Sequence, residues 1–122
     1  MHGTMFDDAE MAETLGTLDA AALDDLPFGV VGLDGDNVVE IYNAHEARSS
    51  GLSRERVVGR HFFFDVAPCM NNYLVAERLE EEAPVDVTLP YVLTFRMRPT
   101  PVRLRLLHAA GTPRRWVLID RG

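Results

Sequence analysis

The sequence predicts an α+β domain built on a central antiparallel sheet with short helices on one face. Three observations lead to this prediction: a hairpin early in the chain, a group of short helical segments in the middle, and three consecutive strands at the end. Strands joined by hairpins are antiparallel, and helices grouped between them cover one face of the sheet. We expect one domain over residues 1–122, in which a helical N-terminal cap (1–25) packs on a core (26–122) with about five to six strands.

The N-terminal cap is expected to begin with short helices. Residues 8–15 are rich in acids and place Met11 and Leu15 four residues apart, which is the spacing of one helix face. A second short helix is expected at residues 19–23, and Leu26-Pro27 ends this region.

The clearest local pattern is a β-hairpin. Residues 28–33 form an apolar strand, Asp34-Gly35-Asp36-Asn37 supplies the turn, and residues 38–42 form the returning strand. Asp, Gly and Asn are the residues that tight hairpin turns favour.

The middle of the chain reads as helical pieces separated by breaks. A short helix is expected at residues 43–47 with Asn43 as its N-cap, and another at residues 54–58, which Gly59 closes. A longer helix is expected at residues 73–82.

The last third of the chain is expected to be β structure. Val102, Leu104 and Leu106 alternate with arginines, which is typical of a half-buried strand. The remaining elements are a long strand at residues 85–97 that Pro90 could interrupt, a turn at Pro99-Thr100-Pro101, a turn at residues 111–113, and a final strand at residues 116–119.

Composition excludes several classes of function. The 12 basic residues are all arginine, so a Schiff-base lysine, a P-loop lysine and a pyridoxal-type enzyme are ruled out. Cys69 is the single cysteine, which excludes an intramolecular disulfide and a cysteine-based zinc site. This usage fits a reducing, cytoplasmic setting.

Hydropathy and net charge also exclude classes of binding partner. No apolar run approaches the roughly 20 residues that span a bilayer, and the acidic N-terminus does not resemble a signal peptide. The net charge of -7 argues against non-specific nucleic-acid binding. We therefore expect neither a membrane nor a nucleic acid as partner.

Charge is distributed unevenly along the chain. Residues 1–47 contain eleven acids and no lysine or arginine, whereas the chain from Arg96 onwards contains seven arginines and only Asp120 as an acid. One interpretation is two separate solvated faces. The other is that the acidic N-terminal part docks on the basic C-terminal strands.

Cys69 is the first candidate for chemistry. It follows Pro68 in a segment between helices. It is either a buried, inert small hydrophobe, or a covalent attachment point or nucleophile, and the last two require the thiolate.

A second candidate group is Tyr42, Glu46 and Ser50, which are spaced by four residues. A helical turn after Tyr42 would bring a phenol, a carboxyl and a hydroxyl to one side. Glu46 has two interpretations: it completes a capping box with Asn43, or it faces a pocket, where burial raises its pKa and allows it to hold and later give up a proton.

The aromatic run His61-Phe62-Phe63-Phe64 is either core or the wall of a ligand pocket. His45 and His61 have no partner at metal-ligand spacing, so no metal site is expected.

At this point the residues resemble those of a known family, the photoactive yellow proteins. The match runs without a gap over residues 26–69, and it extends to nearly the whole chain after a short deletion that follows Cys69. The matching pieces are Phe28-Gly29, Leu33-Asp34-Gly35-Asp36, Tyr42-Asn43-Ala44, Glu46, Gly51, Val58-Gly59, Phe62-Phe63, Asp65-Val66-Ala67-Pro68-Cys69, Met97, Pro99-Thr100 and Trp116-Val117.

The resemblance implies a PAS-fold blue-light receptor and not an enzyme. In such proteins p-coumaric acid (4-hydroxycinnamic acid) is joined by a thioester to the matching cysteine, here Cys69. Its phenolate is held by the residues that match Tyr42 and Glu46, and Ser50 supports Tyr42. Light isomerises the double bond from trans to cis, a proton moves from Glu46 to the phenolate, and the N-terminal cap partly unfolds to signal.

The resemblance also assigns further pocket residues. Met97 matches a methionine that speeds the return to the dark state, and Leu52 stands where well-known members carry an arginine. The implied pocket lining is Val31, Phe62, Val66, Ala67 and Leu93.

The alternative function is a chromophore-free PAS module that binds a protein partner. A third is a thiol-dependent enzyme. For the receptor we expect an unidentified downstream signalling protein as partner, and a monomer or a weak dimer.

Overall fold

The structure is a computed structural model that describes residues 5–95 and 97–122. Its centre is a five-stranded antiparallel sheet with the strand order β2-β1-β5-β4-β3. The strands are β1 (Gly29–Leu33), β2 (Val39–Tyr42), β3 (Val85–Phe95), β4 (Arg98–His108) and β5 (Arg115–Asp120). The α+β prediction and the antiparallel sheet are confirmed.

The helices are all short. They are α1 (Met11–Thr17), α2 (Ala20–Asp24), α3 (Ala44–Ser50), α4 (Arg54–Val57), a π-helical turn (Phe62–Val66), a 3-10 turn (Pro68–Met70) and α5 (Ala76–Leu79). Among the residues that the structure describes, no helix is both long and apolar enough to cross a membrane.

Two buried clusters lie on opposite faces of the sheet, because side chains alternate along each strand. On β1, for example, Val31 belongs to the first cluster and Val30 to the second. The first cluster joins the sheet to the helical segments between β2 and β3. The second cluster joins it to the N-terminal helices through Phe6, Met11 and Leu15.

Arginines of β4 bind the N-terminal segment to the sheet through hydrogen bonds and an ion pair. Arg105 is only 5% exposed and donates to the carbonyls of Phe6 (2.8 Å) and Asp8 (2.7 Å). Arg103 pairs with the carboxylate of Asp7 at 3.1 Å and lies over the Phe6 ring. The interpretation that the acidic N-terminal part docks on the basic strands therefore holds for these residues.

The prediction of a long helix at residues 73–82 is wrong. Only α5 is α-helical there, and Tyr73 is 71% exposed. The side chain of Asn72 accepts from the backbone N–H of Leu74 (3.0 Å) and Val75 (3.3 Å). A side chain that binds these donors replaces the helical hydrogen bonds of the first turn, which explains the late start.

The turn expected at Pro99-Thr100-Pro101 is also wrong, because these residues belong to β4. The ladder between β4 and β5 begins only at Arg103, so β3 is the one strand among the described residues that pairs with this stretch. A proline is tolerated on a strand side that needs no N–H donor. For the same reason Pro90 does not interrupt the edge strand β3.

Candidate functional site

Tyr42 and Ser50 form the polar centre of the first cluster. Tyr42 ends β2 and Ser50 ends α3, and the Tyr42 hydroxyl lies 2.7 Å from Ser50 Oγ with both residues buried. Burial raises the pKa of Tyr42 and the nearby Glu46 adds to the rise, whereas Ser50 and Arg121 oppose it. Tyr42 is therefore a neutral phenol that can donate a hydrogen bond.

Asn43 fixes the start of α3 against β1. Its Oδ1 accepts from the backbone N–H of Glu46 (3.0 Å), as predicted for an N-cap, and from that of Val30 (2.9 Å). Its Nδ2 donates to the carbonyls of Leu23 (2.8 Å) and Phe28 (3.0 Å). One buried side chain thus orients the helix that carries Glu46 and Ser50.

Glu46 is 1% exposed, and its carboxylate is held by an arginine from the other end of the chain. Arg121 Nη1 lies 2.7 Å from Glu46 Oε1, and Nη2 lies 3.0 Å from Oε2. Burial raises the pKa of Glu46, while the hydrogen bonds and charge of Arg121 lower it, and the net direction is upward. Only half of the capping box forms, since the carboxylate points to Arg121 rather than back to Asn43.

Cys69 carries a free, exposed thiol, so the interpretation as a buried hydrophobe is wrong. It lies in the 3-10 turn, between Ala67 and Met70, which are both buried in the first cluster. Its carbonyl accepts hydrogen bonds from Asn72 Nδ2 (3.1 Å) and from the Tyr91 hydroxyl. The backbone at Cys69 is therefore anchored while the thiol remains accessible.

The structure brings the expected lining residues into the same cluster as Tyr42. The π-helical turn contributes two of them, the residue that caps its end contributes one, and β1 and β3 contribute one each. These residues are Val31, Phe62, Val66, Ala67 and Leu93. Leu52 is partly buried and packs against the cluster. In the aromatic run, Phe62 and Phe63 are core, whereas Phe64 is exposed and stacks on His61.

Met97, unlike the other expected lining residues, does not lie in the first cluster. It lies between β3 and β4, has a positive φ of 59°, and its side chain is 93% exposed. The structure therefore does not bring Met97 into the cluster that contains Tyr42.

A cavity of about 320 Å³ opens beside this polar centre. Ser50 and Leu93 line it together with three arginines: Arg48, Arg98 and Arg121. The polar centre formed by Tyr42 and Ser50 thus has both hydroxyl and cationic groups at its border.

Comparison with known proteins identifies the family. The chain is 31% identical over 118 residues to the photoactive yellow protein of Rhodothalassium salexigens, covering 94% of this chain and 93% of that protein. The chain belongs to the photoactive yellow protein family. It is also 29% identical over 119 residues to the photoactive yellow protein of Halochromatium salexigens, with 95% of each chain covered. No model of a protein family matches the chain.

Solved structures agree with this membership. The photoactive yellow protein domain of the sensor histidine kinase Ppr from Rhodospirillum centenum superposes with a TM-score of 0.81 at 34% identity, covering 88% of this chain and 97% of that domain. The PAS domain of an HTR-like protein from Haloarcula marismortui, at 17% identity, gives a TM-score of 0.68 over 91% of this chain and 96% of that one. The predicted PAS fold is confirmed.

In this member of the photoactive yellow protein family, sequence patterns did not identify two residues of the candidate site. Arg121 pairs with Glu46 across 75 positions, and no local pattern signals such a distant contact. Gly29 makes room for the carboxylate: a Cβ at this position would lie 2.1 Å from Glu46 Oε1. The Phe28-Gly29 match was the one available signal for Gly29.

Proposed function

We propose that this protein is a blue-light photoreceptor that carries p-coumaric acid as a thioester on Cys69. One observation carries the proposal: Cys69 is a free, exposed cysteine, and the nearby residues Ala67 and Met70 along the chain belong to the buried cluster that also contains Tyr42. A free thiol next in the chain to an apolar cluster that buries the phenol of Tyr42 fits an aromatic acyl group that ends in a phenolate.

When bound, the chromophore supplies the light absorption and the trans-to-cis isomerisation. The chain would hold its phenolate end by hydrogen bonds. Tyr42 is a buried donor, and Ser50 is 2.7 Å from its hydroxyl and fixes its direction. A hydrogen bond to a charged acceptor is about twice as strong as a neutral one, so Tyr42 would favour the ionised phenol.

Glu46 is the proposed proton donor of the light reaction. Giving up its proton leaves a carboxylate in a site that is 1% exposed. Unless Arg121 is paired with it, this buried carboxylate carries a desolvation penalty of the order of several kcal/mol, which favours structural opening. The N-terminal cap is the proposed element that loosens, because its helices are short and lie at the start of the described chain, where local opening is easiest.

The proposed output is a contact with a downstream signalling protein, which the receptor meets as a monomer or a weak dimer. The proposed setting is the cytoplasm, where a reducing environment keeps the Cys69 thiol free. Met97 is proposed to act in dark recovery only if its exposed position changes during the photocycle.

Reconstitution tests the proposal. Apoprotein is mixed with an activated ester of p-coumaric acid, and the absorption spectrum and intact mass are recorded. We expect a visible band that bleaches under blue light and recovers in the dark, together with a mass increase of one p-coumaroyl group. Cys69→Ala should give neither.

Asn71→Ala is the matched control, because Asn71 is exposed, lies two residues away and leaves the thiol intact. It should load like the parent protein. A colourless product, or a band that survives in Cys69→Ala, overturns the photoreceptor. Colourless protein that still captures a partner would favour the chromophore-free PAS interaction module.

A further inference from the structure

The pairing of Glu46 with Arg121 assigns a residue to the site that no motif identified. Both nitrogens at the tip of the guanidinium face both oxygens of one carboxyl group, at 2.7 Å and 3.0 Å. A fork of two parallel N–H donors matches an ionised carboxylate, because both of its oxygens accept. A protonated carboxyl offers one oxygen as a donor and loses half of this arrangement.

The surroundings hold the pair in place. Glu46 is packed against Gly29, where no side chain can fit, and its helix is fixed by Asn43. Arg121 follows β5 directly, and its side chain is only 17% exposed. Neither group can therefore turn away from the other without repacking or exposure of a charge.

The other charged and titratable groups around Glu46 are few. Tyr42 approaches from β2, and its phenol is neutral. His45 lies on the same helix as Glu46; burial lowers its pKa, Arg121 and Arg48 lower it further, and Asp120 opposes the shift. Among the groups that the structure describes near Glu46, Arg121 is thus the cation in direct contact with the carboxylate.

We propose that Arg121 is a positioning residue of the site, which keeps Glu46 ionised and turned towards the end of β5 until Arg121 withdraws. Proton uptake by Glu46 and release of Arg121 are then one event. The inference deepens the proposed photoreceptor function, since it states when the proton donor acquires its proton. It concerns the colourless chain, however, and its test does not require a chromophore.

The test follows the protonation of Glu46 in apoprotein by infrared spectroscopy. The C=O stretch of a buried, protonated carboxyl is recorded against pH, and Glu46→Gln identifies the band. In the parent protein this band should rise only on acidification. In Arg121→Met, which keeps the length and removes the charge, its midpoint should lie about one to three pH units higher. Arg121→Lys, which restores the charge, should bring the midpoint back down.

Arg48→Met is the matched control, because Arg48 lines the same cavity but is not bound to Glu46. Its midpoint should equal that of the parent. An equal midpoint in Arg121→Met and the parent would overturn the proposal, as would a parent protein in which Glu46 stays protonated at all pH values measured.

If Arg121→Met does not fold, the side-chain NMR signals of Arg121 give a second test. In the parent protein at neutral pH, the guanidinium N–H protons should be resolved and shifted by the carboxylate. They should lose this shift in Glu46→Gln. Signals of Arg121 that do not differ between the two proteins would contradict the pairing, whatever the outcome of chromophore loading.

Discussion

Gly29 and Glu46 fit together so closely that a Cβ on residue 29 would lie 2.1 Å from Glu46 Oε1. This relationship ties a strand position to the chemistry of the buried carboxyl. The side chain of Glu46 can reach Arg121 because β1 leaves a gap at this point. A methyl group there would close the gap and expel the carboxylate.

Gly29→Ala should therefore destabilise the fold by about 1–3 kcal/mol, since atoms are added to a filled site. Urea unfolding followed by circular dichroism measures the change. Gly35→Ala is the control, because a Cβ at position 35 meets no atom within 4 Å. Equal stabilities of the two variants would show that Glu46 relaxes without cost.

Arg105→Met should release the N-terminal segment. Arg105 is buried and binds two backbone carbonyls of that segment as well as the carboxylate of Asp86 at 2.8 Å. Because a charge-assisted hydrogen bond contributes roughly 1.5–3 kcal/mol, we expect a loss of about 2–3 kcal/mol. Hydrogen exchange should accelerate in residues 5–17.

The control for this variant is Arg103→Met. Arg103 also reaches the segment, through Asp7, but this pair is exposed to solvent and screened by salt. Hydrogen exchange of residues 5–17 should stay close to that of the parent. If both variants accelerate exchange equally, burial of Arg105 does not decide how the segment is held.

Glu46 should make stability depend on pH in an unusual direction. Burial raises its pKa in the folded protein above 4.5, so its stabilising contribution is full below that value and is lost as the pH rises through the folded pKa. The parent protein should therefore lose stability relative to Glu46→Gln across this window. Chemical denaturation at several pH values measures the difference.

Comparison with Glu46→Gln is needed because other carboxyls act in the opposite direction. Hydrogen bonds from Arg103 lower the pKa of Asp120, and that contribution is lost on acidification in both proteins. A difference between the two proteins that does not vary with pH would show that Glu46 titrates at its ordinary value.

Ser50→Ala should cost about 1–2 kcal/mol, because it leaves the buried hydroxyl of Tyr42 without its partner. Ser49→Ala is the matched control, since Ser49 is the exposed neighbour on the same helix. Thermal unfolding of the two variants separates the effects. In loaded protein, Ser50→Ala should also shift the visible band, whereas Ser49→Ala should not.

The parts of the fold that depend on neighbouring residues could be predicted from the sequence. The turn residues 34–37 and the capping side chain of Asn43 act within a few positions, and both work as expected. The helix expected at residues 73–82 failed for a local reason as well, because Asn72 competes for the first backbone donors. That competition is a matter of geometry, which residue types alone do not reveal.

In the candidate site too, contacts between residues that are near in sequence could be predicted and contacts between distant residues could not. Tyr42 and Ser50 lie eight positions apart; the spacing predicts that they share one side, and their hydroxyls lie 2.7 Å apart although Tyr42 ends a strand. The partner of Glu46 comes from the last strand, and only the assembled sheet brings it near. The spacing of Tyr42, Glu46 and Ser50 therefore indicates candidate groups, but it does not indicate the arginine that pairs with Glu46.

Trp116 is the single tryptophan of the chain, and it lies buried in the cluster that the N-terminal helices share with the outer face of the sheet. Arg114 lies 5.6 Å from the centre of its ring. The protein thus contains its own fluorescent reporter on the surface that the cap covers. Emission from this one indole should redden when water replaces the cap, so detachment can be timed in unlabelled protein.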